Sequence, residues 1–370
     1  MKKRVAIWLY GGIGTGNFSQ GQPVLEKLIR ELSLEFEIVV YSRSLINRDY
    51  VPNEFRIRCA SKAIKKDFLR WLLLFMYFLT DHFKKKFSVV CTFWGFPGGF
   101  LTTVMAKALF LPSMVNLQGG DSVGIPSLNY GVMHRRGFKR LALWTYQHAT
   151  VLTVLTFFQK NLLVGYGVVR TMRVIPLGAD PSLFTFSVKR KNQGEPHKFI
   201  HVSNHNFIKD PVTLLRAFAL ICEKKEARLR IVGGEHAEST SKQICKDLGI
   251  QEKVDFYGPV VYSAMPEHYA WADVMLHTSL YEGQGIVIAE AAMCGVLIAG
   301  TTVGLISDLG DSGTVAVPPG DFRLLAEKVL ETLNNPVAGE EKKRIAFAWA
   351  KEHDFFWTVD QYKTLFHEIG

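Results

Sequence analysis

Apolar residues come in short unbroken runs that glycine or a polar residue ends abruptly, and stretches of helical periodicity separate the runs. Such a run suits a strand buried on both faces of a parallel sheet, and the intervening pattern suits an amphipathic helix. Val5 to Tyr10 is the first run, closed by Gly11 and Gly12. A helix should follow, with Pro23 in its first turn and Val24, Leu25, Leu28, Ile29 and Leu32 at helical spacing, before a second run at Phe36 to Tyr41. Ser88 to Trp94, Met114 to Leu117 and Ala149 to Thr153 continue the alternation. The reading is a doubly wound α/β domain.

The periodicity lapses between Pro176 and Pro196, where Lys189 to Glu195 form a polar connection, and then restarts with Phe199 to Ser203. A helix over about Pro211 to Cys222 and a strand at Arg228 to Val232 come next. Strand-like runs at Lys253 to Tyr257, Asp273 to His277, Val296 to Thr301 and Thr314 to Val317 complete a second α/β unit. A chain of 370 residues suits two such domains. The pattern places them at 1–185 and 197–344, with the aromatic-rich segment of about 345–370 packing back on the first.

Charge separates the two halves. Residues 1–185 carry 24 basic and 10 acidic side chains, a net +14, whereas the remainder is −4. The 48% of apolar residues excludes a disordered chain. Five scattered cysteines, without a C-x-x-C pair, read as free thiols in a reducing compartment, which points to the cytoplasm. Met1 to Arg4 resemble the start of a signal peptide, but six apolar residues are too few for one. Trp71 to Leu79 is a run of nine apolar residues with Lys62, Lys65, Lys66 and Arg70 before it and Lys84, Lys85 and Lys86 after it. It is too short to span a bilayer. Residues 68–79 are therefore either a buried helix with solvated ends or a helix lying in an anionic membrane interface.

Open α/β sheets bind ligands beyond the carboxyl ends of their strands, so the loops there are the candidate sites. Gly11, Gly12, Ile13, Gly14, Thr15 and Gly16 follow the first strand and either admit a phosphate or sugar to backbone amides or form a tight turn. Asn17 and the absence of an acid after the second strand, where Tyr41, Ser42 and Arg43 stand, argue against a dinucleotide fingerprint. The stronger signal is Tyr281 to Ala291, in which Glu282 precedes and Glu290 follows a glycine-rich strand-to-helix turn. A helix beginning near Gly285 offers the amides of Gly285, Ile286 and Val287 to an anion such as a diphosphate. Glu282 and Glu290 can then accept hydrogen bonds from sugar and ribose hydroxyls.

Glu282 and Glu290 form an E-x7-E motif. With the run through Gly295 and the later Val317 to Asp321, it resembles the donor domain of retaining glycosyltransferases of the GT-B fold, glycosyltransferase family 4 (group 1). The resemblance extends to the Gly11-Gly12 loop, Gly119-Gly120-Asp121, the Lys209 segment and the closing aromatic helix. It implies two Rossmann-like domains facing a central cleft, closing by a hinge motion. It also implies a nucleotide-diphosphate sugar, with UDP or GDP as carrier, bound to the second domain, with retention at the anomeric carbon. Lys209 and the helix N-terminus would stabilise the leaving diphosphate, Glu282 would hold the transferring sugar, and Glu290 the ribose. Gly12 would approach the donor.

Two positions depart from the family pattern. Asn204 stands where an arginine usually partners the lysine, leaving His205 or Arg230 as substitutes. Gln118 stands where a histidine is common, which leaves Gln118 and Asp121 a hydrogen-bonding, orienting role toward substrate, the alternative for Gln118 being a structural hydrogen bond to its loop. No D-x-D sequence occurs, so neither a metal nor another cofactor is expected. The resemblance implies a glycan or lipid-linked acceptor and polysaccharide or glycolipid synthesis, while the free thiols and the basic first half give a cytoplasmic location, either unattached or peripheral on the inner face of the plasma membrane. A catalytically silent sugar-binding scaffold and a sugar-nucleotide epimerase are the competing readings. The positive charge has no accompanying nucleic-acid signature.

Overall fold

The computed structural model describes residues 2–14, 23–47, 49–60, 64–186, 194–204, 206–234 and 238–370. Thr15, Gly16 and Asn17 of the glycine loop, Lys62, the stretch Lys189 to Gln193 and His205 lie outside the described residues.

The chain divides into two units, 1–176 with 355–370, and 177–354. The first has a seven-stranded parallel sheet made of β1 (Arg4–Leu9), β2 (Glu37–Ser42), β3 (Arg56–Cys59), β4 (Val89–Phe93) and β5 (Ser113–Asn116), with β8 (Val151–Val154) and β9 (Arg173–Val174). The order is β3-β2-β1-β4-β5-β8-β9, and β6 (Gly124–Ile125) pairs with β7 (Tyr130–Gly131) outside it. Helices α1 (Pro23–Ser33), α2 (Asp67–Lys84), α3 (Phe100–Ala108), α4 (Arg136–His148) and α5 (Phe157–Gly165) form the connections. The central strands are buried on both faces, as their unbroken apolar runs require.

The second unit has a six-stranded parallel sheet ordered β12-β11-β10-β13-β14-β15. Its strands are β10 (His197–Val202), β11 (Ala227–Val232), β12 (Val254–Gly258), β13 (Val274–His277), β14 (Leu297–Thr301) and β15 (Val315–Val317). Its helices are α6 (Pro211–Cys222), α7 (Glu238–Asp247), α8 (Met265–Trp271), α9 (Ile286–Met293), α10 (Gly304–Gly313), α11 (Phe322–Asn334) and α12 (Pro336–Glu352). The order reverses between β10 and β13, because the chain leaves β10 toward one edge and returns to build the other.

The boundaries differ from those expected at 185, 197 and 345. Residues 177–186 already belong to the second unit: the Leu177 amide donates to Gln284 Oε1 at 2.8 Å, and Phe184 packs in a core with Met265 and Tyr269. Helix α12 stays in that unit too, burying Ala346 and Ala350 in the same core. The segment that joins the first unit is α13 (Phe355–Ile369), where the Tyr362 hydroxyl donates to Asn116 Oδ1 at 3.0 Å and its ring stacks on Phe93.

Residues 68–79 are buried on one side of their helix and exposed on the other, so a wholly buried helix is not what forms. Trp71, Leu74 and Phe78 are buried against the sheet, while Phe68, Leu69, Leu72, Phe75 and Met76 are exposed. No helix among the described residues is long and apolar enough to cross a membrane.

Candidate functional site

The second unit gathers its polar side chains at the switch point between β10 and β13. After β10, Asn206 caps a short turn by accepting from the Ile208 amide at 3.1 Å, and the turn presents Lys209. After β13, the chain turns through Ser279 and Glu282 into α9. The two loops are tied together: Thr278 Oγ1 donates to the Lys209 carbonyl at 2.9 Å, and the Leu280 amide to the Ile208 carbonyl at 2.7 Å. Lys209 Nζ then forms an ion pair with Glu282 Oε1.

Two glycines set this turn. Gly285 has φ of 81°, and a Cβ there would meet Ile288 Cδ1 at 2.7 Å. Gly304, at the start of α10, has φ of 52°, and a Cβ would lie 2.5 Å from the Gln284 carbonyl oxygen and 2.9 Å from Glu282 Cβ. The next loop of the sheet therefore presses on the back of the Glu282 turn through bare backbone. The Leu305 amide donates to the Gln284 carbonyl at 2.8 Å and fixes that contact. Because α9 starts at Ile286, the amides of Ile286 and Val287 have no acceptor within the helix, whereas that of Ile288 donates to the Gly285 carbonyl at 2.9 Å.

Glu282 Oε1 also accepts from His277 Nε2 at 3.0 Å and from Ser279 Oγ at 2.7 Å. Burial alone would push its carboxyl up, but the Lys209 charge and the His277 bond outweigh it and hold the group well below the usual carboxylate range. It is an ionised acceptor. Glu290, one turn into α9, is buried in a different setting: Oε1 accepts from the Tyr262 hydroxyl at 3.0 Å and Oε2 from the Tyr269 hydroxyl at 2.8 Å. No cation is paired with it among the described residues, and burial, opposed by the two tyrosine bonds, pushes its pKa up to about 7.

Asn204 is exposed at the end of β10 beside Gly234 and brings no charge. Arg230 does not replace the missing arginine. Its guanidinium is held between the rings of Tyr257 and Trp271, at 4.3 and 4.0 Å from their centroids.

The remaining sequence candidates belong to the first unit. Gly12 adopts φ of 99° on the loop after β1. Asp121 is committed to backbone: it accepts from the amides of Gly95 at 2.7 Å, Gly119 at 2.8 Å and Gln118 at 3.3 Å. Burial raises its pKa against those three bonds. Asp121 thus braces its loop. It sets the backbone of Gln118, whose side chain is 8% exposed and whose Oε1 and Nε2 both lack a partner among the described residues.

His277, Ser279, Tyr262 and Tyr269 were not marked by the sequence reading. His277 left a trace, as the single polar residue ending the apolar run of β13. The tyrosines come from α8 and the turn before it and left none.

Two Rossmann-like parallel sheets in tandem, the second with its polar cluster at the switch point, define a protein of the GT-B fold. Residues 184–350 match the family described as Glycosyl transferases group 1. The N-acetyl-alpha-D-glucosaminyl L-malate synthase of Bacillus anthracis is 30% identical over 177 residues, 46% of this chain and 45% of that protein. The match thus spans about half the length of that curated relative. Sucrose-phosphate synthase from Thermosynechococcus elongatus superposes with a TM-score of 0.84 at 17% identity, over 99% of both chains. The Anabaena protein HepE in complex with UDP-glucose superposes with a TM-score of 0.75 at 16% identity, over 98% of this chain and 99% of that one. These two likenesses establish the fold.

Proposed function

We propose that the protein is a glycosyltransferase that moves a sugar from a nucleotide-diphosphate donor to a glycan or lipid-linked acceptor, with retention at the anomeric carbon. The observation that carries this reading is the joining of Lys209 to Glu282 across the switch point, in front of the first amides of α9. A cation, a helix N-terminus and an ionised carboxylate meet where a sheet of this order takes its ligands.

In this reading the α9 amides and Lys209 bind the diphosphate and take up the charge that develops on it as the sugar departs. Glu282 is too acidic to carry a proton near neutrality, so it acts as an acceptor that orients sugar hydroxyls. Glu290 accepts from the ribose, whose hydroxyls exchange with that of Tyr262 or Tyr269. Gln118 offers an unengaged amide to a sugar hydroxyl, and Asp121 positions it. The residues named suffice for the leaving group without a metal ion. UDP or GDP is the proposed carrier, and UDP has the support of the HepE neighbour. The basic character of the first unit favours an anionic or lipid-linked acceptor.

Thermal shift with a panel of UDP-, GDP- and ADP-sugars tests the reading. A donor should raise the Tm of the wild type and leave Lys209→Ala and Glu290→Ala unshifted from their own ligand-free values. If no sugar nucleotide stabilises the wild type at millimolar concentration, the proposal fails and a non-catalytic scaffold of the same fold takes its place.

A further inference from the structure

The helical layer over one face of the first sheet is apolar on its outer side, which no described residue of the chain covers. Helices α2 and α3 share that face, since Trp71, Leu74 and Met105 pack in one core with Ala6, Trp8 and Val90. Helix α4 continues it: Ala142 and Tyr146 pack with Val115, whose partner Thr92 points to the same side of β4 as Val90. Phe100 of α3 meets Trp144 of α4 edge-on at 5.7 Å. The three helices therefore form one layer.

Each of them carries a second apolar stripe pointing away from the sheet. On α2, Phe68, Leu72, Phe75, Met76 and Phe83 recur at helical spacing, with Phe68 and Phe83 each 75% exposed. The helix has 18 residues and so runs about 27 Å. On α3 the stripe is Leu101 and Val104, followed by Phe110 at 96% exposure, and on α4 it is Phe138 and Leu141. Monomeric proteins seldom leave apolar residues so continuous in water.

The charge on this layer has one sign. Residues 64–150 contain eleven Lys and Arg, no Glu and three Asp. None of the three acids is free: Asp81 is buried and paired with Arg58, Asp121 is buried on backbone amides, and Asp67 pairs with Arg43. Lys65, Lys66, Lys84, Lys86, Lys107 and Arg140 are exposed among the apolar stripes.

We propose that this three-helix face docks on the surface of an anionic phospholipid bilayer. The apolar stripes enter the acyl boundary, and the flanking Lys and Arg reach headgroup phosphates while their stems stay in apolar surroundings. A second copy would bring the same uncompensated positive charge against it, and protein interfaces are poor in lysine. The inference does not depend on the transferase reading, since it concerns the first unit alone.

Flotation with lipid vesicles tests it, using the full chain. Vesicles with about 30% phosphatidylglycerol should bind at least about tenfold more tightly than pure phosphatidylcholine, and about 0.5 M salt should remove most of that gain. Leu72→Ser with Met76→Ser, and separately Leu101→Ser with Val104→Ser, should each weaken binding about tenfold. These residues are exposed, so the melting temperature and any sugar-nucleotide shift should stay at wild-type values, which separates this result from failure of the donor site. Three outcomes overturn the proposal. The first is a wild type that does not float with anionic vesicles, and the second is an α3 pair without effect on flotation. The third is self-association of a non-floating wild type that Leu72→Ser with Met76→Ser abolishes, which would assign the face to a second copy.

Discussion

Glu282 and Glu290 leave the same turn eight residues apart and are both withdrawn from water, with the Glu282 side chain 12% exposed and Glu290 2% exposed. Their protonation diverges because of what faces them. Glu282 meets a lysine, a histidine and a serine and stays ionised, whereas Glu290 meets two tyrosine hydroxyls and no cation among the described residues, and is poised near neutrality. Depth of burial did not decide the outcome; the nearest positive charge did. Two carboxylates with different environments can divide their tasks, one as a fixed anion and one as a group whose charge responds to its surroundings.

Removing the cation gives the largest effect. Lys209→Met should leave Glu282 as an unpaired buried charge, cost about 3 kcal/mol of stability, and lower turnover about 10²- to 10³-fold. Urea denaturation and a nucleoside-diphosphate release assay measure the two losses. Unchanged stability would mean that Lys209 does not keep Glu282 ionised.

Glu290→Gln should act in the opposite direction on stability. The folded protein holds a proton on Glu290 up to about pH 7, whereas the unfolded chain releases it near the ordinary 4.5. Stability from this group is thus present at low pH and lost as pH rises through that window, by about 3 kcal/mol in all. The glutamine variant should be flat in this respect and melt roughly 5 to 10 °C above the wild type at pH 8, while losing the donor-induced shift. Equal melting of the two proteins at pH 5 and pH 8 would show that Glu290 titrates normally. Glu282 has the reverse sign: its contribution is complete above the ordinary carboxyl pKa and disappears as the solution is acidified below it.

The smallest effect belongs to Tyr262→Phe. With one hydroxyl gone, Glu290 should hold its proton to higher pH and the protein should lose about 1 kcal/mol. The midpoint of the pH–stability curve should move upward, with donor affinity altered only a few-fold. A downward move would mean that the tyrosine favours the neutral carboxyl.

Strands were legible wherever a strand is buried on both faces, because such a strand needs an unbroken apolar run; the expected and observed bounds of β4, β10 and β14 differ by only one or two residues. β3 was missed, since an edge strand with the sequence Arg56-Ile57-Arg58-Cys59 needs no such run. The glutamate pair could be read because its spacing around a glycine turn is local. The tyrosines that set the state of Glu290 lie 28 and 21 residues upstream, Tyr262 on the β12–α8 connection and Tyr269 in α8, and only the fold brings them in. The boundary was misread for a related reason. Polar residues mark exposed chain, and the crossing at Pro176 and Leu177 lies in an apolar stretch without such a mark. Aromatic content likewise could not say that Phe347 and Trp349 serve one unit and Tyr362 and Phe366 the other.

Helix α13 has a consequence for how the molecule is made. The second unit is one continuous stretch, complete once residue 354 has left the ribosome, but the first still lacks the helix whose Tyr362 and Phe366 fill the space beside Phe93 and Phe36. Synthesis runs in one direction, so the unit begun first is the one finished last. Until then its apolar groove is open on the nascent chain, and a message truncated before codon 355 would yield one unit complete and the other unable to close.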